Sequence, residues 1–197
     1  MTWDDVSEQD NWRKKGRLEV ICGSMFSGKT EELIRRVRRV EFAQQKVLVF
    51  KPLLDTRYTQ NQVTTHYGLA IDAMMVKSSL DILDQIGDAR VIGIDEAQFF
   101  DADLVKVCDI LVQKKIRVIL AGLDMDFLGR PFGVIPILMS KADFVTKVHA
   151  ICVQCADTAI HSHRIEGGKK LIEVGETDKY IPLCRTCFAE AVTKPKT

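Results

Sequence analysis

The sequence predicts an α/β fold: a parallel sheet with helices on both faces, followed by a small cysteine-rich domain. Three observations carry this expectation. Apolar runs rich in Val, Ile and Leu (RLEVICG, KVLVFKP, ARVIGIDEAQFF and IRVILAGLDMD) alternate with stretches whose apolar residues recur at helical spacing. A glycine-bounded loop, GSMFSGKT at 23–30, sits at the first strand-to-helix junction. Two Cys-x-x-Cys pairs stand at 152–155 and 184–187, where the apolar periodicity thins.

Taken in order, residues 1–16 are polar and mixed in charge, an extension without an assigned role. RLEVICG and KVLVFKP are strands, and in the segment between them Leu33, Ile34, Val37, Val40 and Phe42 keep roughly helical spacing, which makes a βαβ unit. ARVIGIDEAQFF and IRVILAGLDMD repeat the pattern around DADLVKVCDILVQKK, where Leu104, Val105, Cys108, Leu111 and Val112 line a face. A boundary near Ala150 divides an α/β domain over 17–150 from a smaller domain over 151–190, with 191–197 as a tail. Neither an internal repeat nor a low-complexity segment is visible.

Composition narrows the function classes. At 197 residues and 46% hydrophobic, the chain can bury one good core with a small appendage. Lys plus Arg number 28 against 27 for Asp plus Glu, so the balance argues against nucleic acid or an acidic membrane as partner. The N-terminal stretch lacks the apolar segment of a secretory signal and no apolar run is long enough to span a bilayer, which reads as a cytoplasmic protein. In a reducing compartment, clustered cysteines are read as metal ligands before disulfides.

GSMFSGKT fits the pattern Gly-x4-Gly-Lys-Thr, with Gly23, Gly28, Lys29 and Thr30 at the defining positions and Ser24, Met25, Phe26 and Ser27 between them. Glycine lets the backbone curl so that successive N–H groups face a phosphate, and the following helix adds its N-terminal dipole. Lys29 can bridge β and γ oxygens and Thr30 can bind Mg2+. The same letters could occur by chance in an ordinary strand-turn-helix; their place at that junction favours phosphate binding. In VIGIDEAQFF, Asp95 ends a strand beside this loop, where a carboxylate can hold a magnesium shell, and Glu96 is free to orient an attacking hydroxyl. Ala97 and Gln98 continue this nucleotide-side segment. Without the phosphate loop, an exposed acidic turn would be the ordinary reading. Arg57, after KVLVFK, is a second candidate cation for phosphoryl transfer, although an arginine in a turn is more often solvated.

Cys152, Cys155, Cys184 and Cys187 make a four-thiolate set suited to tetrahedral Zn2+, with 28 residues between the pairs. A redox pair is disfavoured because there are two pairs, and four protein ligands make the metal structural. Zinc would pin both ends of residues 156–183, so that this long loop can act as a lid. His161 and His163 are expected to be solvated loop residues, and Cys22 and Cys108 packing residues. Phe127 and Phe132 in LDMDFLGRPFG either wall a flat base or fold back onto the core; residue type does not decide between these.

Together GSMFSGKT, KPLLDTRY, DEAQFF, LDMDFLGRPFG, the paired Cys-x-x-Cys and GETDKYIPLC resemble the cytosolic thymidine kinase family with a zinc-bound lasso, over about residues 17–188. The resemblance implies a RecA-like P-loop sheet with a lasso domain, and ATP-dependent phosphorylation of the thymidine 5'-hydroxyl with Mg2+. It implies Glu96 as general base, Asp95 as magnesium-shell carboxylate, and Arg57 beside Lys29 on the phosphates. Met25, Phe99, Leu123, Phe127, Phe132, Leu171, Gly175 and Tyr180 fall on the nucleoside side, with Tyr180 closing the lasso. A homotetramer inhibited by dTTP is implied as well. The chain departs from the family pattern at Glu176, where a second glycine is usual, at THYG over 65–68, and at Glu173, where an apolar neighbour of the base is expected. Two rivals remain: a nucleic-acid-driven ATPase, disfavoured by the charge balance, and a non-enzymatic zinc-ribbon binding module.

Overall fold

The computed structural model describes residues 15–53, 62–64, 70–165 and 179–193. Its centre is a six-stranded sheet built from β1 (Arg17–Cys22), β2 (Val47–Pro52), β5 (Met74–Val76), β6 (Val91–Ile94), β7 (Arg117–Gly122) and β8 (Phe144–Lys147). The strand order is β5-β2-β6-β7-β1-β8 and every neighbouring pair is parallel. Two short strands, β3 (Gln62–Thr64) and β4 (Ala70–Asp72), form a separate antiparallel pair.

Alternation along the strands sends side chains to two cores. Leu18, Val20 and Cys22 of β1 join the larger cluster with Leu104, Val107, Cys108 and Leu111 of helix α3 (Leu104–Gln113) and Ile135 and Leu138 of α4 (Ile135–Lys141). Ile82 of the short α2 (Asp81–Gln85) lies in the same layer. On the other face Ile21, Val49, Val91 and Ile119 pack under Leu33, Ile34, Val37 and Val40 of α1 (Lys29–Phe42). The prediction of helices on both faces is therefore met, with one helix on one side and three on the other. Cys22 and Cys108 are fully buried packing residues, and burial pushes their thiols up to about 11 and about 12.

Phe42 is the exception on α1: it is 94% exposed. It stands nine residues beyond Leu33, two and a half helical turns, and so points away from the sheet. On α3 the buried face is Leu104, Val107, Cys108 and Leu111, with Val105 and Val112 on its partly buried flanks. The edge strand β8 was not legible as a strand, because its FVTK sequence is mostly exposed.

A carboxylate is buried on the α1 face. Glu19, between Leu18 and Val20, accepts from Arg117 Nε at 2.6 Å and from Arg36 Nη1 at 2.8 Å, and lies 2.7 Å from Arg17 Nε. Arg36 also reaches Thr146 on β8 at 2.8 Å. Burial alone would raise the Glu19 carboxyl, but the hydrogen bonds and charges of these arginines hold it below its ordinary range. The cluster ties β1, β7, β8 and α1 together beneath the phosphate loop.

The C-terminal part contributes two antiparallel pairs, β9 (Ala150–Ile151) with β10 (Thr158–Ala159) and β11 (His161–Arg164) with β12 (Tyr180–Leu183), then α5 (Arg185–Thr193). Its core is small: Ala150, Cys152, Ala159, Leu183, Cys184 and Cys187, with Phe188 packed against them. Among the described residues no helix is long and apolar enough to cross a membrane.

Candidate active site

Because the sheet is parallel, β1, β6 and β7 all end at one edge, and the loops leaving them meet there. The loop after β1 is GSMFSGKT. A Cβ on Gly23 would lie 2.2 Å from the Val148 carbonyl oxygen, so only glycine lets the loop leave β1 this close to the backbone. Gly28 caps α1 with φ 83°, a left-handed conformation that glycine adopts freely. Ser27 Oγ and Lys29 Nζ both donate to the Ser24 carbonyl at 2.7 Å. Desolvation lowers the Lys29 amine from its ordinary value, while Glu96, Asp95 and Asp124 oppose that shift.

The loop after β6 carries the carboxylates. The strand ends at Ile94, and buried Asp95 stands first beyond it. Thr30 Oγ1 approaches its two carboxylate oxygens at 3.3 and 3.4 Å. Burial, then the neighbouring Glu96 charge, push Asp95 up to about 7, and Lys29 and Thr30 pull the other way. A hydroxyl facing a desolvated carboxylate at this spacing fits an oxygen-seeking cation such as Mg2+, which would stabilise the ionised form. Glu96 itself sits at φ 51°, ψ 40°, a left-handed conformation uncommon for a residue with a side chain. A single 3-10 turn, Ala97–Phe99, follows.

The loop after β7 is LDMDFLGRPFG. Buried Asp126 organises it, accepting from the Leu128 and Arg130 amides at 2.9 Å through Oδ1. Phe132 is buried and meets Phe99 edge-on, with ring centroids 5.9 Å apart. Phe127 lies under the Arg164 guanidinium, 3.7 Å from Cζ to the ring centroid. Arg164 in turn donates to the Tyr180 hydroxyl from Nε at 3.0 Å and Nη2 at 2.7 Å. These contacts join Phe99 to Phe132 and, through Arg164, Phe127 to Tyr180; Leu123 is held by Gln98, and Met25 donates its backbone amide to Ser162 Oγ of β11 at 2.8 Å.

Arg57, Leu171 and Gly175 lie outside the described residues. Sequence reasoning missed Arg164 and Ser162. Their signal was the two-residue alternation of HSHR, which puts both on one face of a strand once it pairs with YIPL. His161 is a correction: it is buried on β11 and stacks on Phe188 with centroids 4.1 Å apart, rather than being a solvated loop residue.

The Sγ atoms of Cys152, Cys155, Cys184 and Cys187 all lie within 4.8 Å of one another, with Cys155 and Cys184 at 3.6 Å. Tetrahedral zinc with bonds of about 2.3 Å would hold sulfurs about 3.8 Å apart, so the set fits that metal. Neither His161 nor His163 belongs to the cluster.

A parallel sheet with a phosphate loop after one strand and a carboxylate after another defines a P-loop nucleotide-binding protein of the α/β class. A family model described as thymidine kinase matches residues 16–188. A thymidine kinase of Bacteroides thetaiotaomicron is 55% identical over 179 residues, 91% of this chain and 90% of the relative. Those of Bacteroides fragilis and Porphyromonas gingivalis are 52% and 50% identical, each over 93% of this chain and 92% and 90% of their own. The chain belongs to the thymidine kinase family. Among solved structures, the Legionella pneumophila ATPase DotB is similar at 15% identity over 64% of this chain and 34% of its own, with a TM-score of 0.39, too distant to bear on function.

Proposed function

We propose that the protein transfers the γ-phosphoryl group of ATP to the 5'-hydroxyl of thymidine, giving dTMP. The observation that carries this reading is the contact between the phosphate loop and the zinc-module strand: Met25 N to Ser162 Oγ, with Arg164 two residues on gripping Phe127 and Tyr180. Donor cradle and aromatic residues meet through this contact, as transfer from a nucleotide to a nucleoside requires.

In this reading the GSMFSGKT amides and Lys29 hold the donor phosphates, and Arg57 adds charge as the phosphoryl group moves. Thr30 and Asp95 would hold Mg2+, which supplies charge neutralisation on the phosphates. Glu96 accepts a hydrogen bond from the 5'-hydroxyl and aligns it for in-line attack; in a loose transition state this orientation matters more than early proton removal. The base lies among Met25, Phe99, Leu123, Phe127 and Phe132, with Leu171, Gly175 and Tyr180 on the lasso side. The four cysteines bind structural Zn2+, and β11 pairing with β12 helps close the lasso stem. Cytoplasmic location, a homotetramer and inhibition by dTTP complete the proposal.

Nucleosides offered singly with Mg-ATP, with monophosphate product measured, test the assignment. Thymidine should be phosphorylated, and Glu96→Ala should lower kcat by about 10²-fold or more with ATP binding intact. Near-normal turnover in that variant, or DNA-stimulated hydrolysis without nucleotide product, would contradict it.

A further inference from the structure

Gln98 is 3% exposed, and both ends of its amide are used inside the protein. Oε1 accepts from the Leu123 backbone amide at 3.0 Å, and Nε2 donates to Glu96 Oε2 at 2.5 Å. The orientation of the amide follows from chemistry: the Leu123 N–H can only donate, so it must face Oε1, which turns the NH2 group towards the carboxylate. Two glycines make room for this arrangement. A Cβ on Gly122 would lie 2.9 Å from Gln98 Oε1, and one on Gly133 would lie 2.5 Å from the Gln98 carbonyl oxygen. Gly133 also has φ 54°, which strains any other residue. The backbone is shaped around Gln98 on two sides.

Taking Glu96 as the hydroxyl-orienting base, as proposed above, we infer that Gln98 is a positioning residue that fixes the Glu96 carboxylate relative to the nucleoside pocket. Its N–H holds Oε2 of the Glu96 carboxylate and so sets the orientation in which that carboxylate meets the substrate hydroxyl. Its carbonyl holds Leu123, one of the residues read as lining the base. A single buried amide therefore sets the separation between the group that orients the hydroxyl and a wall of the base pocket. Glu96 itself holds a left-handed backbone conformation, uncommon for a residue with a side chain, next to this contact. This gives Gln98 a task different from the donor-nucleotide contact read from the sequence.

The test is a double-mutant cycle on the zinc-loaded enzyme. Gln98→Glu keeps size and the acceptor for Leu123 but sets an oxygen against Glu96 where the N–H stood. It should lower kcat by about 10²-fold, with the KM values for thymidine and ATP changed by less than about threefold. Gln98→Met removes both contacts and should lower kcat and also raise the thymidine KM. In a Glu96→Gln background, Gln98→Glu should change kcat by less than about threefold, since the group it positions has gone. Thermal midpoints and ATP binding of each variant separate this from misfolding. A kcat near that of the parent in Gln98→Glu, or an equal loss in both backgrounds, would overturn the positioning role. Glu96→Gln turning over normally would instead overturn the reading of Glu96.

Discussion

The two halves of the site are stabilised by different physics. The phosphate loop grows from β1, whose Leu18, Val20, Ile21 and Cys22 are buried in two cores, and it is fastened below by Glu19 and its arginines. The wall proposed for the base grows from a module whose described residues include six in a buried core, of which Cys152, Cys184 and Cys187 are candidate metal ligands. Such a module has too little apolar area to stand alone. It draws order from the loop after β7, where Gly129 packs on Phe188 and Phe127 on Arg164, and would draw more from a metal held by the four cysteines. On the proposed reading, the donor half is preformed, whereas the acceptor half depends on the metal and on contacts across the junction.

The comparison can be broken on the donor side by removing its buried charge. Glu19→Ala leaves three arginines without their shared carboxylate and should destabilise the fold by about 3–5 kcal/mol in chemical denaturation. The sign with pH follows from the lowered carboxyl: its contribution is present above the unfolded value and fades as pH falls through the folded one.

On the acceptor side the expected effect is smaller and confined to one substrate. Arg164→Gln removes a guanidinium from Phe127 and two hydrogen bonds from Tyr180, and should raise the thymidine KM about tenfold while leaving ATP binding within twofold. Tyr180→Phe should add little in that background. Independent, additive losses would mean that the two side chains do not act as one unit.

The smallest effect is expected at the meeting point. Asp95 is raised to about 7, so in the nucleotide-free protein it resists ionisation, and stability declines as pH rises from the unfolded carboxyl range towards 7. Asp95→Asn should therefore have the higher thermal midpoint at pH 8, the gap narrowing towards pH 5, even though the variant loses activity. A constant gap across that range would assign the difference to packing.

The same division explains what the sequence made legible. Gly23, Gly28, Lys29 and Thr30 stand within eight residues, and their geometry follows from local backbone rules. Asp95 and Glu96 were readable because a buried strand ends at Ile94, and the four cysteines because metal chemistry restricts their spacing. Gln98, Arg164 and Ser162 were less legible because each meets a partner distant in sequence: Leu123, Phe127 and Met25. His161 read as solvated because its strand forms only on pairing with Tyr180–Leu183. Phe42 kept the helical spacing of α1 but ended on its exposed face, which spacing alone did not separate from the buried one.

Calorimetric titration of one preparation with thymidine and with a non-hydrolysable ATP analogue, before and after zinc is removed by a chelator, tests the central claim most directly. A conditional acceptor half and a preformed donor half predict that thymidine binding weakens at least tenfold while the ATP analogue binds within twofold of its starting affinity. Unchanged thymidine binding in zinc-free protein, or equal loss of both ligands, would contradict the account.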